Sequence, residues 1–276
     1  MNRDVRRDVL LCGPPRSGTT LACWLLNHVA NVVALPEPIQ VSELMKHGDD
    51  IAAAAQVVRD FAAAARQQIL AERTATARLV DGAIAPNFHE EPRGDGRLRS
   101  DAKAQRGLVA FDKPLAADFL LVIKHPNPFM GMLPGLVGSF PVFALVRDPL
   151  AILGSWNSLQ GSFYDGRAPG AEAFAPALRA VLDACPDRLD RQVLLLAWFF
   201  EQLRFLPRDR VLRYEEMTAS GGRALCIIEP AAAQLDHALR AYDPATRYGG
   251  APLEALRGRL ARRRQSFLPY YELRDG

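Results

Sequence analysis

The sequence predicts an α/β three-layer sandwich around a mostly parallel central sheet, followed by a helical C-terminal part, and three observations carry that prediction. Short apolar runs at 9–12, 31–35, 119–123, 141–146 and 210–214 alternate with segments whose apolar residues recur at helical spacing. This is the pattern of strands buried on both faces and joined by crossover helices. Three of the runs lead into a charged residue, Glu37, Lys124 and Arg147, at the strand end where a parallel sheet opens its ligand crevice. The first run breaks at Gly13-Pro14-Pro15 and restarts as a helix. A strand, loop and helix in that order aim main-chain N–H groups and a helix N-terminus at one anion.

Each element has its own signal. Val9, Leu10, Leu11 and Cys12 form the first strand, and Leu21, Trp24, Leu25 and Val29 then fall on one helical stripe. Residues 31–35 read as a second strand. Pro36 and Pro38 fix the backbone on either side of Glu37 and keep that carboxylate out of a helix. Residues 40–74, rich in alanine, read as helical scaffold. Residues 81–112 are polar, mixed in charge and punctuated by Gly and Pro, which fits a lid, a substrate-facing insertion or a plain loop. His89, beside Glu90 and Glu91, reads as a solvated surface group. The run at 119–123 is a buried strand ending in Lys124-His125-Pro126, a helix follows around 129–137, and the strand at 141–146 ends in Arg147. Asp148 caps and Pro149 opens a helix over 150–159. A turn-rich connection at 161–169, a short helix at 171–183, a long helix at 188–206 and a strand at 210–214 come next, and the chain beyond Ala219 reads as mainly helical. Trp156 and Trp198 are expected in the core, and Arg262-Arg263-Arg264 on a solvated helix face.

Composition narrows the class. The chain has 276 residues with 49% hydrophobic content, enough to bury the core of a single domain over 1–276. Four lysines, at 46, 103, 113 and 124, stand against 30 arginines, a bias that fits a GC-rich bacterial genome. A net charge of +3 is too mild to argue for a nucleic-acid partner. The cysteines at 12, 23, 185 and 226 lack metal-site spacing and fit a reduced interior. No segment is long and apolar enough for a membrane span, and the first apolar run is too short for a signal peptide, so a cytoplasmic protein is expected.

The loop itself is ambiguous. A Walker A loop needs a lysine before its Ser/Thr, to reach the phosphates, and the hydroxyl for Mg²⁺. Residues 13–20, GPPRSGTT, have Thr19 at the lysine position, and the strand at 142–146 ends in an arginine instead of a Walker B carboxylate. An ATP-dependent small-molecule kinase with a degenerate loop is therefore the alternative reading. A non-catalytic nucleotide-binding protein is the third.

Residues 15–20, PRSGTT, resemble the 5′-phosphosulfate loop of sulfotransferases, which use 3′-phosphoadenosine 5′-phosphosulfate (PAPS) as donor. Residues 145–156, LVRDPLAILGSW, resemble the segment of that family in which an arginine at a strand end and a serine eight residues on hold the 3′-phosphate, here Arg147 and Ser155. Residues 211–217, VLRYEEM, are similar to the strand and turn near the nucleotide, which implies an adenosine contact at Tyr214. The resemblance covers residues 8–40 and 119–217 and implies a P-loop-NTPase-like fold. It further implies a donor held by Arg16, Ser17, Gly18, Thr19, Thr20, Arg147, Ser155 and Tyr214, without a metal. Glu37 resembles the glutamate base of tyrosylprotein and heparan sulfotransferases, and Lys124 resembles their lysine in a Lys-Asp-Pro-Phe segment, with His125 in place of the aspartate. The implied catalytic set is Glu37, Lys124 and Arg16, with His125 as the alternative base. The acceptor is expected to be a hydroxyl of a small molecule or glycoconjugate, in a pocket shaped by 81–112 and the C-terminal helices. The Arg-Lys-Gly segment that closes the nucleotide site in cytosolic sulfotransferases is not visible.

Overall fold

The structure is a computed structural model that describes residues 7–89, 104–240, 247–248 and 252–273. Its elements run β1 (Asp8–Cys12), α1 (Thr19–Leu26), β2 (Val32–Pro36), α2 (Val41–Met45), α3 (Ile51–Glu72), β3 (Thr74–Val80), β4 (Ala104–Ala110), β5 (Leu120–Lys124), α4 (Pro126–Leu136), β6 (Val142–Val146), α5 (Pro149–Trp156), α6 (Pro169–Glu172), α7 (Pro176–Asp183), α8 (Arg188–Gln202), β7 (Val211–Arg213), α9 (Tyr214–Ala219) and α10 (Leu253–Ala261), with short 3-10 turns between some of them.

Five strands pair in the order β2-β5-β1-β6-β7, every pair parallel. Alternation along the strands divides the sheet into two apolar faces, as a sheet covered on both sides requires. Leu10, Cys12, Val33, Leu35, Leu121 and Ile123 face α3, α4 and α8. Val9, Leu11, Val32, Ala34, Leu120 and Val122 face α1 and the chain after α9. The α/β sandwich expected from the alternating runs is thus the observed architecture. Asp50, Asp148 and Asp187 cap α3, α5 and α8 by accepting from main-chain N–H groups two to three residues into each helix, at 3.0, 2.8 and 2.8 Å. Among the described residues, no helix is long and apolar enough to cross a membrane.

One region differs from the sequence reading. β3 and β4 form an antiparallel hairpin outside the main sheet, pairing Thr74 with Ala110 through Val80 with Ala104. Thus the helical scaffold stops at Glu72, and the polar stretch 81–112 is partly strand. The strand β3 is legible only as alternation: Ala75, Ala77 and Leu79 are buried between more exposed Thr and Arg residues. Residues 90–103, the middle of the predicted lid or substrate loop, lie outside the described residues. Beyond Ala219 the described residues hold 3-10 turns at Arg223–Ile227, Pro230–Gln234 and Arg264–Ser266 and the α-helix α10. The buried apolar residues Leu225, Ile228, Ala232 and Leu235 recur at three- and four-residue steps and cover the α1 face.

A buried ion pair ties the outer layer to the first strand. Arg66 on α3 donates to Asp8 through Nη2 at 2.5 Å and Nε at 3.1 Å, donates to the Phe119 carbonyl at 2.9 Å and lies 4.3 Å from the Phe119 ring. Both side chains are nearly excluded from water. Removing one partner of such a pair strands the other charge in an apolar setting. Arg66→Met is therefore expected to cost about 3–5 kcal/mol of folding stability, read as a lowered midpoint in urea unfolding.

Candidate active site

All five parallel strands end at one cavity of about 640 Å³. After β1 the chain turns through Gly13 and Gly18, both at positive φ, and neither position accepts a side chain. A Cβ on Gly13 would stand 2.1 Å from the Leu145 carbonyl oxygen, and one on Gly18 would stand 2.4 Å from the Tyr214 ring. The loop is pinned from the next strand's helix, since Trp156 Nε1 donates to the Pro15 carbonyl at 3.0 Å. Trp156 is thus core, as expected, and also part of the loop's support. Ser17 is fully buried and its Oγ has no hydrogen-bond partner among the described residues. A hydroxyl in that state, beside a glycine turn at a helix start, fits an anion that would accept from it.

The strand register assembles the chemistry. Pro36 pairs with Lys124, and the Glu37 N–H donates to the Lys124 carbonyl at 2.8 Å, so β2 and β5 deliver their terminal residues side by side. Lys124 Nζ, at 1% side-chain exposure, donates to Glu37 Oε1 at 2.6 Å and to Thr20 Oγ1 at 3.0 Å. Glu37 Oε2 accepts from Arg78 Nη1 at 2.9 Å. Burial by itself would raise the Glu37 carboxyl, but Lys124 first and Arg78 next outweigh it and hold the group well below the usual carboxylate range. Arg16 and Glu37 both sit at positive φ, 76° and 49°, a conformation that costs a non-glycine residue about 1–3 kcal/mol. Such strain persists where the surroundings over-determine it, and here it coincides with two of the three predicted catalytic residues.

His125, the alternative base, is fully buried and its Nε2 accepts from the Ile39 N–H at 3.1 Å. That bond places the proton of the neutral ring on Nδ1. Burial chiefly, with Lys124 and Arg106 adding to it against Glu37, pushes the imidazole down to about 3. Its accepting nitrogen is committed to shaping the turn after Glu37.

The second predicted anion site lies in the same cavity. Arg147, 7% exposed, packs its guanidinium 4.6 Å from the centre of the Tyr214 ring and donates to the Arg16 carbonyl at 3.5 Å. Ser155 is fully buried and accepts from Arg16 Nε at 3.1 Å. Asp148 caps α5, while its main-chain N–H donates to Glu215 at 3.0 Å. Arg16 therefore links the loop to the Ser155 side, and its Nη2 reaches Asn87 Oδ1 at 3.3 Å.

Three features escaped sequence reasoning. Arg78 reaches Glu37 from β3, and no motif around it marks that role. His89, expected on the solvated surface, lines the cavity with Asn87 and Phe88. Arg247 and Tyr248 also line it, and the Tyr248 hydroxyl hydrogen-bonds Ser155. They stand in Arg247-Tyr248-Gly249, a segment not singled out by the sequence reading. Trp198 is partly buried against the core, and Arg262 to Arg264 are exposed, as expected.

No family model matches the chain, and no curated protein sequence matches it. Among solved structures it is similar to the crystal structure of sulfotransferase STF9 from Mycobacterium avium, at 15% identity and a TM-score of 0.39, with 98% of this chain and 78% of that chain covered.

Tyr248 provides a spectroscopic handle on the second site. Burial would raise its phenol, but Arg147, Arg16 and the bond to Ser155 bring it down to about 8. Titration at 295 nm is expected to show one tyrosine ionising near pH 8 that disappears in Tyr248→Phe.

Proposed function

We propose that the protein is a sulfotransferase that moves a sulfuryl group from PAPS to a hydroxyl of a small-molecule or glycoconjugate acceptor, with Glu37 as the base. The observation that carries this reading is the placement of Lys124 between Thr20 and Glu37, at the junction of the anion-binding loop and the only carboxylate among the described residues that line the cavity. The lining supports a donor with two separate anionic groups. The loop with Thr19 and Thr20 in the lining and Ser17 buried behind it suits the phosphosulfate end, and Arg147 in the lining with Ser155 buried behind it suits a 3′-phosphate, with Tyr214 and Tyr248 beside it.

PAPS supplies the sulfuryl group and a phosphate as its leaving group. A bond forms between sulfur and the acceptor oxygen while the bond from sulfur to the phosphate oxygen breaks, and the hydroxyl proton passes to Glu37. Lys124 and Arg16 neutralise the charge that grows on the departing oxygen, in a site where buried cations act through a low effective dielectric. A carboxylate held ionised by two cations is a weak base at rest. Lys124 drawn toward the leaving oxygen loosens its hold on Glu37 Oε1, so the base strengthens as the charge it must answer develops.

Thermal shift separates this reading from the kinase alternative: adenosine 3′,5′-bisphosphate is expected to raise Tm and ATP–Mg²⁺ to leave it unchanged, and the reverse result would overturn the proposal. Glu37→Ala is expected to retain bisphosphate affinity and to lower turnover by about 10²–10⁴, read in a steady-state donor-cleavage assay. Arg147→Ala is expected to weaken bisphosphate binding by about 1.5–3 kcal/mol in calorimetry, the loss of a hydrogen-bonded charge at a phosphate.

A further inference from the structure

The hairpin β3–β4 and the turn that follows β3 stand outside the parallel sheet, yet they touch all three side chains assigned to the chemistry. Asn87 Oδ1 accepts from Arg16 Nη2 at 3.3 Å. The Phe88 ring lies 5.3 Å from Lys124 Nζ and 5.2 Å from the Arg78 guanidinium. Arg78 and Arg106 are direct cross-strand partners in the hairpin, and both end on Glu37 or its turn. Arg78 Nη1 donates to Glu37 Oε2 at 2.9 Å, and Arg106 Nη2 donates to the Glu37 and Ile39 carbonyls at 3.1 and 3.0 Å.

The two oxygens of Glu37 are thereby divided: Oε1 goes to Lys124 and Oε2 to Arg78. Lys124 cannot be the only anchor of a base if it must also answer charge on a leaving oxygen, because each such turn would release the carboxylate. Arg78 has no such second duty in the proposed reaction, and a guanidinium keeps its charge at every working pH. Arg106 meanwhile fixes the backbone of a residue held at positive φ.

We infer that Arg78 is a positioning residue which holds Glu37 through Oε2 independently of Lys124, so that Oε1 stays aimed at the acceptor while Lys124 engages the leaving group. This rests on the reading of Glu37 as the base. Among the described residues, the charged and titratable groups facing Glu37 are Lys124 and His125 from β5 and the start of α4, Arg78 from β3, Arg106 from β4 and the buried Cys23 thiol from α1. Loss of Arg78 removes one of the two cations that pair directly with the carboxylate.

The test uses the full chain labelled with [δ-¹³C]glutamate, the Glu37 signal being identified by its loss in Glu37→Gln. In the wild type that carbon is expected to remain in its ionised position through the ordinary carboxylate midpoint of 4.5. In Arg78→Met the midpoint is expected to rise by about one unit or more, with Arg78→Lys returning most of it. In a donor-cleavage assay with water as acceptor, Arg78→Met should lower kcat by about tenfold or more and move its acidic limb upward, with KM for PAPS and bisphosphate affinity unchanged. A Glu37 signal and an acidic limb identical to wild type in Arg78→Met would overturn the proposal. If Arg78→Met does not fold, the same comparison with Arg78→Gln decides it. A wild-type protein that neither binds bisphosphate nor cleaves PAPS would overturn the sulfotransferase reading, while the carbon titration would still decide whether Arg78 holds Glu37.

Discussion

The ammonium group of Lys124 is buried at the end of the central strand pair, and much of the site is arranged around satisfying it. A buried charge without partners would be expelled or neutralised, so the fold must bring acceptors to it. It does so from two directions, with the Thr20 hydroxyl from the loop after β1 and the Glu37 carboxylate from the end of β2. Both depend on the register of three parallel strands. A slip of one residue in β2 against β5 would reverse the facing of every side chain and carry Glu37 away from Lys124.

The same pairing makes the loop more than an anion cradle. Arg16 is held by Ser155 and Asn87, its carbonyl by Arg147, and the carbonyl of its neighbour Pro15 by Trp156. The loop is thus joined to the consecutive end of β6 and α5, and to the turn after β3, which lies far from both in sequence. The positive φ angles of Arg16 and Glu37 follow from this: the network fixes conformations that an isolated segment would not adopt. Asn31, Arg73 and Asp81 share this conformation in turns and bends, but Arg16 and Glu37 are the two among these whose side chains line the cavity.

Local signals made much of the fold legible. Runs such as 119–123 and 142–146 are apolar because both faces of the sheet are covered, and their charged endings marked the crevice before any geometry was known. Arg147 and Ser155 lie one α-helix start apart, so spacing alone could relate them. The hairpin strand β3 was missed because TATARLV buries only two alanines and a leucine, beside an alanine-rich helix.

What the sequence by itself determined is what a short segment can encode: the strand, loop and helix of the opening stretch, the order of the parallel strands' charged endings, and the residue types suited to two anions and a proton. The tertiary structure alone decided which charges meet. Arg78 lies 41 residues from Glu37, on a hairpin whose approach to the sheet no motif records, and Tyr248 lies 93 residues beyond the serine it bonds. Those distances along the chain close only through long-range packing, which depends on the whole core and leaves no periodic trace at the residues it joins.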